Sequence, residues 1–310
     1  MQVIRNLARA VASQKPGVLT IGNFDGVHRG HQAVLAQAAA LAHKENRPWI
    51  ALTFENHPSE ILRSERRTPL ICTLPHKTLL LQQAGVDWLI LIPFTKELSQ
   101  QSAEFFLQNV YETSPFVHLI LGHDAALGKD RQGDNQRIQE FASAMHFDVA
   151  CLESYTWKDQ IVSSSRIRTL LQQGDLTEVA DLLGRNYSIY GAVISGAATG
   201  KQLGYPTINI DVSQLCLPPF GVYAVRLMHE GVLYNGVANL GLAPTVRNDQ
   251  RPLLEVHLLD IQKDLYGQFV EVVFHQYIRP EKQFPSLQAL REQIHSDAVV
   301  ARRLLNASFV

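Results

Sequence analysis

A chain of 310 residues with 46% hydrophobic and 18% charged side chains has material for two ordinary domains with real cores, which excludes a disordered or fibrous protein. Lys and Arg number 28 against 29 Asp and Glu, so the charge balance gives no case for nucleic acid or an anionic membrane as a partner, and an anionic ligand must be held by a local cluster. Cys72, Cys151 and Cys216 lie far apart without a CxxC, which excludes a disulfide framework or a typical zinc site and fits buried thiols in a reducing cytoplasm. The first residues carry Arg5 and Arg9 with no acid before Asp25 but lack a secretory apolar core, so no cleaved leader is expected. Strand-like runs at 18–21, 49–54, 88–92, 117–121 and 147–151 alternate with helix-like runs at 32–43, 76–84, 102–110 and 135–145. The alternation predicts a parallel sheet covered on both faces, with right-handed crossovers. The strongest apolar run, 86–94, is too short to span a membrane and contains Asp87 and Pro93.

Two short helices are expected next, one after the serines at 163–165 and ending near Gly174, the other over 175–184. Residues 185–187 then read as a hinge, placing the domains at 1–184 and 185–310. From there the pattern becomes six short strands, at 188–194, 208–211, 222–228, 233–240, 253–259 and 269–277. Glycine or proline turns between them predict a small closed antiparallel barrel. A last helix, with Leu287, Leu290, Ile294, Ala301 and Leu304 as its apolar stripe, would plug or cover that barrel.

In a parallel sheet, ligands bind beyond the carboxyl ends of the strands. Three unusual segments fall there: 22–31, 55–58 and 122–129. The first, Gly22-Asn23-Phe24-Asp25-Gly26-Val27-His28-Arg29-Gly30-His31, is a strand-to-helix turn with glycines at both ends. His28 and His31 share a face if the helix has begun. They are either two surface histidines or, beside a helix N-terminus, a pair able to hold charge on phosphorus. Ser163, Ser164 and Ser165 with Arg166 and Arg168 read as capping serines or as an anion site. In the barrel half, the glycine-rich run 196–204 contains Lys201 and could fold over phosphates. Thr207 and Asn209 alternate on one strand face, which suits either an outward polar pair or a hard cation beside a nucleotide. Glu255 and His257 share a face opposite Val256. Glu255 is then either a solvent-facing acid or an inward carboxylate that accepts a hydroxyl proton.

Over roughly residues 17–303 these motifs resemble the prokaryotic bifunctional riboflavin kinase/FAD synthetase family. The first segment is similar to its HxGH nucleotidyltransferase signature, and 53–58 to TFxPHP with Asn56 in the proline position. Residues 162–168 resemble ISSTxIR, with Val162 for Ile and Ser165 for Thr; 200–209 resemble GRxLGxPTAN, with Lys201 for Arg and Ile208 for Ala. Glu255 and His257 match an ExH stretch followed by Leu265-Tyr266-Gly267. Asn239-Leu240-Gly241 and Ile278-Arg279-Pro280 match as well.

The resemblance implies an α/β chain: a Rossmann-like FMN adenylyltransferase module over 1–184 and a riboflavin kinase barrel over 185–310. It implies a cytoplasmic enzyme acting on ATP, riboflavin and FMN, with magnesium arriving with ATP. By that resemblance His28 and His31 stabilise the transferring phosphorus and Glu255 is the base. Gly22, Asn23, Phe24, Asp25, Ser164, Ser165, Arg168, Gly200, Lys201, Gly204, Thr207 and Asn209 contact nucleotide or phosphate, with Thr207 and Asn209 at the magnesium. Phe54, His57 and Asp124 meet the flavin. One loop departs: where the family shows G-x-D/N-F-x-F-G, this chain keeps Gly122, Asp124 and Gly128 but has Ala125, Ala126 and Leu127. Losing two rings there implies weaker flavin stacking. It leaves open a working kinase with a weak or repurposed adenylyltransferase, beside a non-catalytic flavin- or nucleotide-binding protein.

Overall fold

The computed structural model describes residues 1–5, 15–63, 65, 67–123, 125, 127–129, 135–196, 204–244, 250–259, 261 and 263–307. The chain divides into two compact units, Met1–Leu70 with Lys77–Ser164 and Ile71–His76 with Ser165–Val310. The division groups Ser165–Gly184 with the barrel, ahead of the hinge read at 185–187.

The first unit is built on six parallel strands: β1 (Gln2–Ile4), β2 (Gly17–Ile21), β3 (Trp49–Phe54), β4 (Trp88–Ile92), β5 (Phe116–Leu121) and β6 (Asp148–Cys151), in the order β1-β4-β3-β2-β5-β6. Five match the sequence expectation. The edge strand β1, paired through Val3 and Leu89, is too short to show a period. Alternate residues divide between two cores. Leu19, Leu52, Ile90 and Leu119 pack against α5 (Ala103–Thr113) and α6 (Asn135–Met145). Val18, Ala51, Leu89 and Ile120 pack against Leu35, Ala38 and Ala42 of α1 (Arg29–Glu45) and against Leu81 of α3 (Leu74–Gln83). Short helices α2 (Ser59–Leu62) and α4 (Lys96–Ser99) and a hairpin of β7 (Thr156–Trp157) with β8 (Gln160–Ile161) complete the unit. Because β2 lies between β3 and β5, strand order reverses beside it. In open α/β sheets that reversal opens a crevice at the carboxyl edge.

In the second unit, α7 (Ser164–Gln173) and α8 (Leu176–Leu183) bury Ile167, Leu171, Val179 and Leu182. The barrel closes through β9 (Ser188–Ile194), β10 (Thr207–Asp211), β11 (Gly221–His229), β12 (Val232–Pro244), β13 (Gln250–Leu258) and β14 (Phe269–Arg279), in the order β10-β13-β12-β11-β14-β9. Every pairing is antiparallel. Ile208, Ile210, Val225, Leu227, Ala238, Leu240, Leu254, Val256 and Val272 are buried on its inner face. The last helix, α9 (Leu287–Ala307), covers rather than plugs the barrel: Ala298, Ala301 and Leu305 pack on the outward residues Val222, Ala224 and Val237. Among the described residues, no helix is long and apolar enough to cross a membrane.

Candidate active sites

At the end of β2, α1 begins at Arg29, three residues earlier than the apolar period suggests. His28 is therefore the N-cap, and its Nδ1 accepts the His31 backbone N–H at 3.3 Å. An accepting Nδ1 leaves the proton of the neutral ring on Nε2. The two imidazoles stack with centroids 3.6 Å apart, and the Phe24 ring meets His31 edge-on at 5.4 Å. Burial, then the neighbouring His28 and Lys77, hold the His31 pKa well below the usual imidazole range. Its Nδ1 is buried without a hydrogen-bond partner. The turn is strained: Phe24 (φ 51°) and Val27 (φ 39°) lie in the left-handed region, at about 1–3 kcal/mol each. Burial of both side chains, 2% and 3% exposed, holds them there. A Cβ at Gly30 would stand 3.2 Å from the His28 ring, so a side chain there would press on the cap.

Around this turn the strand ends are tied together. Lys77, buried on α3, donates to the carbonyls of Asn23 (3.1 Å) and Phe54 (2.8 Å), and Thr53 Oγ1 donates to Asn23 O. Ser164 Oγ donates to Asp25 O at 3.1 Å. Phe54 packs edge-on against Phe94, and Asn56 makes both side-chain hydrogen bonds to the Phe94 backbone, at 3.0 and 2.8 Å. His57 Nδ1 meets Ser59 Oγ at 2.7 Å. The structure thus brings Gly22, Asn23, Asp25, His28, His31 and Ser164 to one turn, with Phe54 and His57 at the next strand end. Ser165 and Arg168 belong to the second compact unit, and Asp124 lies outside the described residues.

Two of the singled-out segments contribute to the core. The Phe24 ring is 2% exposed and supports His31 from there. Leu127 is 7% exposed within the core over α5 and α6, and Ala125 packs at its margin. Of this loop, Leu127 thus belongs to the core of the first unit and Ala125 to its edge.

In the barrel, strand register aligns the second set. Thr207 pairs with His257, and Asn209 and Asn239 flank Glu255 from either side. Val256 and Leu254 point inward, so these polar residues lie on the outer face. Glu255 is neither inward nor solvent-facing: it lines a cavity of about 280 Å³ roofed by Leu290 and Ile294 of α9. Burial pushes its carboxyl pKa up, a hydrogen bond from Asn239 opposes this, and the Glu281 charge adds to the rise. Asn209 is 5% exposed and its Oδ1 has no hydrogen-bond partner. His257 Nδ1 meets Pro206 O at 3.0 Å. One wall is fixed by Arg279, which donates to both Asp297 oxygens, at 2.9 Å from Nε and 2.7 Å from Nη2. Gly204 precedes Thr207 with φ 85°; Gly200 and Lys201 lie outside the described residues.

Two family models match this chain: FAD synthetase over residues 10–166 and riboflavin kinase over 183–305. A bifunctional riboflavin kinase/FMN adenylyltransferase of Haemophilus influenzae is 38% identical, covering 99% of this chain and 100% of its own length. The Escherichia coli K12 protein of the same name is 35% identical over 96% of this chain and 95% of its own. The chain belongs to the bifunctional riboflavin kinase/FMN adenylyltransferase family. A solved structure described as a macrolide-efflux protein from Streptococcus pneumoniae shares the fold, with a TM-score of 0.81 and 26% identity over 97% of this chain and 98% of its own.

Sequence reading gives no role to three side chains at these sites, although Asn239 falls in a matching motif. Lys77 has as its one signal a lysine among the apolar positions of α3. Asn239 sits at an outward register position in a mostly apolar strand, a period-2 signal that sequence alone could reveal. Glu281 follows the last strand, and no spacing relates it to Glu255; only the closed barrel brings them to one cavity.

Proposed function

We propose that the barrel unit phosphorylates riboflavin with ATP to give FMN, and that the parallel-sheet unit transfers AMP from a second ATP to FMN, giving FAD and pyrophosphate. In the first reaction the terminal hydroxyl of riboflavin gives its proton to Glu255 as its oxygen bonds the γ-phosphorus, and the bond to ADP breaks. The raised pKa of Glu255 makes it a better base near neutral pH. Thr207 and Asn209 would hold magnesium brought by ATP. The orphaned, buried Asn209 Oδ1 beside a hydroxyl is a hard-oxygen donor set that fits this ion. Among the described residues no cluster of three His, Cys, Asp or Glu offers a separate metal site. When bound, the ion neutralises phosphate charge.

In the second reaction a phosphate oxygen of FMN attacks the α-phosphorus of ATP and pyrophosphate leaves. His28 Nε2–H, His31 and the N-terminus of α1 stabilise the charge that builds on phosphorus. Ser164, Ser165 and Arg168 contact phosphates, Gly22 to Asp25 approach the nucleotide, and Phe54, His57 and Asp124 receive the flavin, while Gly204 approaches ATP in the first reaction. The working compartment is the cytoplasm, where ATP is at hand and the cysteines stay reduced.

The observation that carries this reading is that Thr207 and Glu255, far apart in sequence, line one ligand-sized cavity, with Asn209 paired to Glu255 on the same strand face. Incubating the purified protein with riboflavin and magnesium-ATP, and resolving the flavins by chromatography, should yield FMN and then FAD. FMN alone would limit the protein to its kinase activity; absence of both would overturn the proposal.

A further inference from the structure

The hydrogen-bonded ladder between β2 and β3 reaches Gly22, whose N–H donates to Leu52 O at 3.1 Å. One step further on, side chains make the crossing. Lys77 Nζ donates to Asn23 O at 3.1 Å and to Phe54 O at 2.8 Å, and Thr53 Oγ1 donates to Asn23 O at 3.2 Å. Both donors are buried, Lys77 at 6% and Thr53 at 0% exposure. An ammonium offers three N–H donors and no acceptor, so burying it is costly unless oxygens receive it. The Asn23 carbonyl, held by two donors, fixes the peptide that enters Phe24, and Phe24 sits at φ 51°. The Val27 N–H closes the turn on Phe24 O at 3.2 Å. The Phe24 ring folds back over Gly22, where a Cβ would stand 2.9 Å from it, and meets the His31 ring edge-on. His31 in turn stacks on His28. A strained φ persists only where its surroundings over-determine it.

We propose that Lys77 is a positioning residue for AMP transfer: by pinning the Asn23 carbonyl it holds Phe24 in its left-handed conformation, and the Phe24 ring holds the His31 imidazole in place beside His28. This rests on reading His31 as a group that stabilises charge on the transferring phosphorus. A strut that only joined two strand ends would contribute to stability alone. A strut that ends on the strained turn also sets where His31 stands when that charge builds. A misplacement of about 1 Å at such a group costs up to about 10²-fold in rate. Lys77 acts through the turn and takes no part in the bonds made and broken.

The test is a double-mutant cycle in the full chain, measuring kcat and KM for AMP transfer from magnesium-ATP to supplied FMN. The variants are Lys77→Met, Thr53→Val and His31→Gln, with each of the first two also combined with the third, and calorimetry checks that each is folded at the assay temperature. Lys77→Met keeps the length of the side chain and removes its donors; it should lower kcat roughly 10- to 100-fold with KM for FMN and magnesium-ATP retained. Thr53→Val removes the second donor to Asn23 O and should lower kcat about 2- to 10-fold. In the His31→Gln background both losses should largely vanish, because groups that act through one another are not additive. A Lys77→Met loss of the same factor in both backgrounds, or a kcat that Lys77→Met leaves unchanged while His31→Gln lowers it, overturns this proposal alone. A His31→Gln protein as active as the parent overturns the reading of His31 itself. Valine is isosteric with threonine, so Thr53→Val decides the matter by the same comparison even if Lys77→Met does not fold.

Discussion

Leu127 separates two accounts of the altered loop. If the loop once stacked on flavin, phenylalanine at this position should improve FMN binding. In the structure Leu127 is 7% exposed and packs in the core that holds Phe106, Leu107 and Ile138. Leu127→Ala then removes buried methyl groups and leaves a cavity, at about 2–5 kcal/mol. For a unit of this size about 2–4 °C is lost per kcal/mol, so the first unit's Tm should fall by about 4–20 °C. Leu127→Phe inserts volume where the start of α5 already crowds the chain; a Cβ on the next residue, Gly128, would stand 3.0 Å from Ala103 Cα. Overpacking of this kind costs about 1–3 kcal/mol. Neither change should alter KM for FMN in AMP transfer measured well below the transition. The assays are differential scanning calorimetry of the full chain and FMN saturation at fixed magnesium-ATP. A Leu127→Phe protein that keeps its Tm and binds FMN more tightly would refute the core assignment.

The two chemistries should separate: Glu255→Gln is expected to lower FMN formation by about 10²–10⁴-fold while AMP transfer to supplied FMN continues, and His28→Ala should do the reverse. Loss of both activities from either change in a folded protein would contradict the two-unit assignment. Asn209→Ala should weaken magnesium-ATP binding at the kinase site, seen as a smaller ATP-dependent rise in Tm, with little change in the nucleotide-free midpoint. His31 has its folded pKa below the unfolded value near 6.5, so the unfolded state binds more protons in the window between the two. Stability should therefore rise with pH through that window and be lost as pH falls below about 6.5; a His31→Gln protein whose Tm shows the same acid slope would remove His31 from that role. A kinase fragment beginning at Ser165 should melt above one beginning at Arg185. The longer piece keeps α7 and α8, with Cys216 Sγ 3.6 Å from Arg168 O and Gly174 against Pro219. Equal midpoints would mean those helices do not stabilise the barrel.

Local patterns were enough for much of this protein. Apolar period distinguished five sheet strands from their helices, and the change to short strands after residue 188 marked the barrel. The glycine-flanked turn at 22–31 located the first site, and period-2 alternation put Thr207 with Asn209 and Glu255 with His257. Such patterns state which side chains share a face; they do not state what that face meets. Only closure of the barrel turned Glu255 outward, and only the packing of α9 converted that outer face into a cavity. The start of α1 at Arg29, which makes His28 a cap, depended on a strained turn held by the burial of Phe24 and Val27. The core packing of Leu127 was not legible, because its loop position says nothing of the helices it packs against. The meeting of Asn239 with Glu281 joins residues 42 apart in sequence. Each of these is a long-range contact, fixed by chain closure and burial, for which no spacing rule exists.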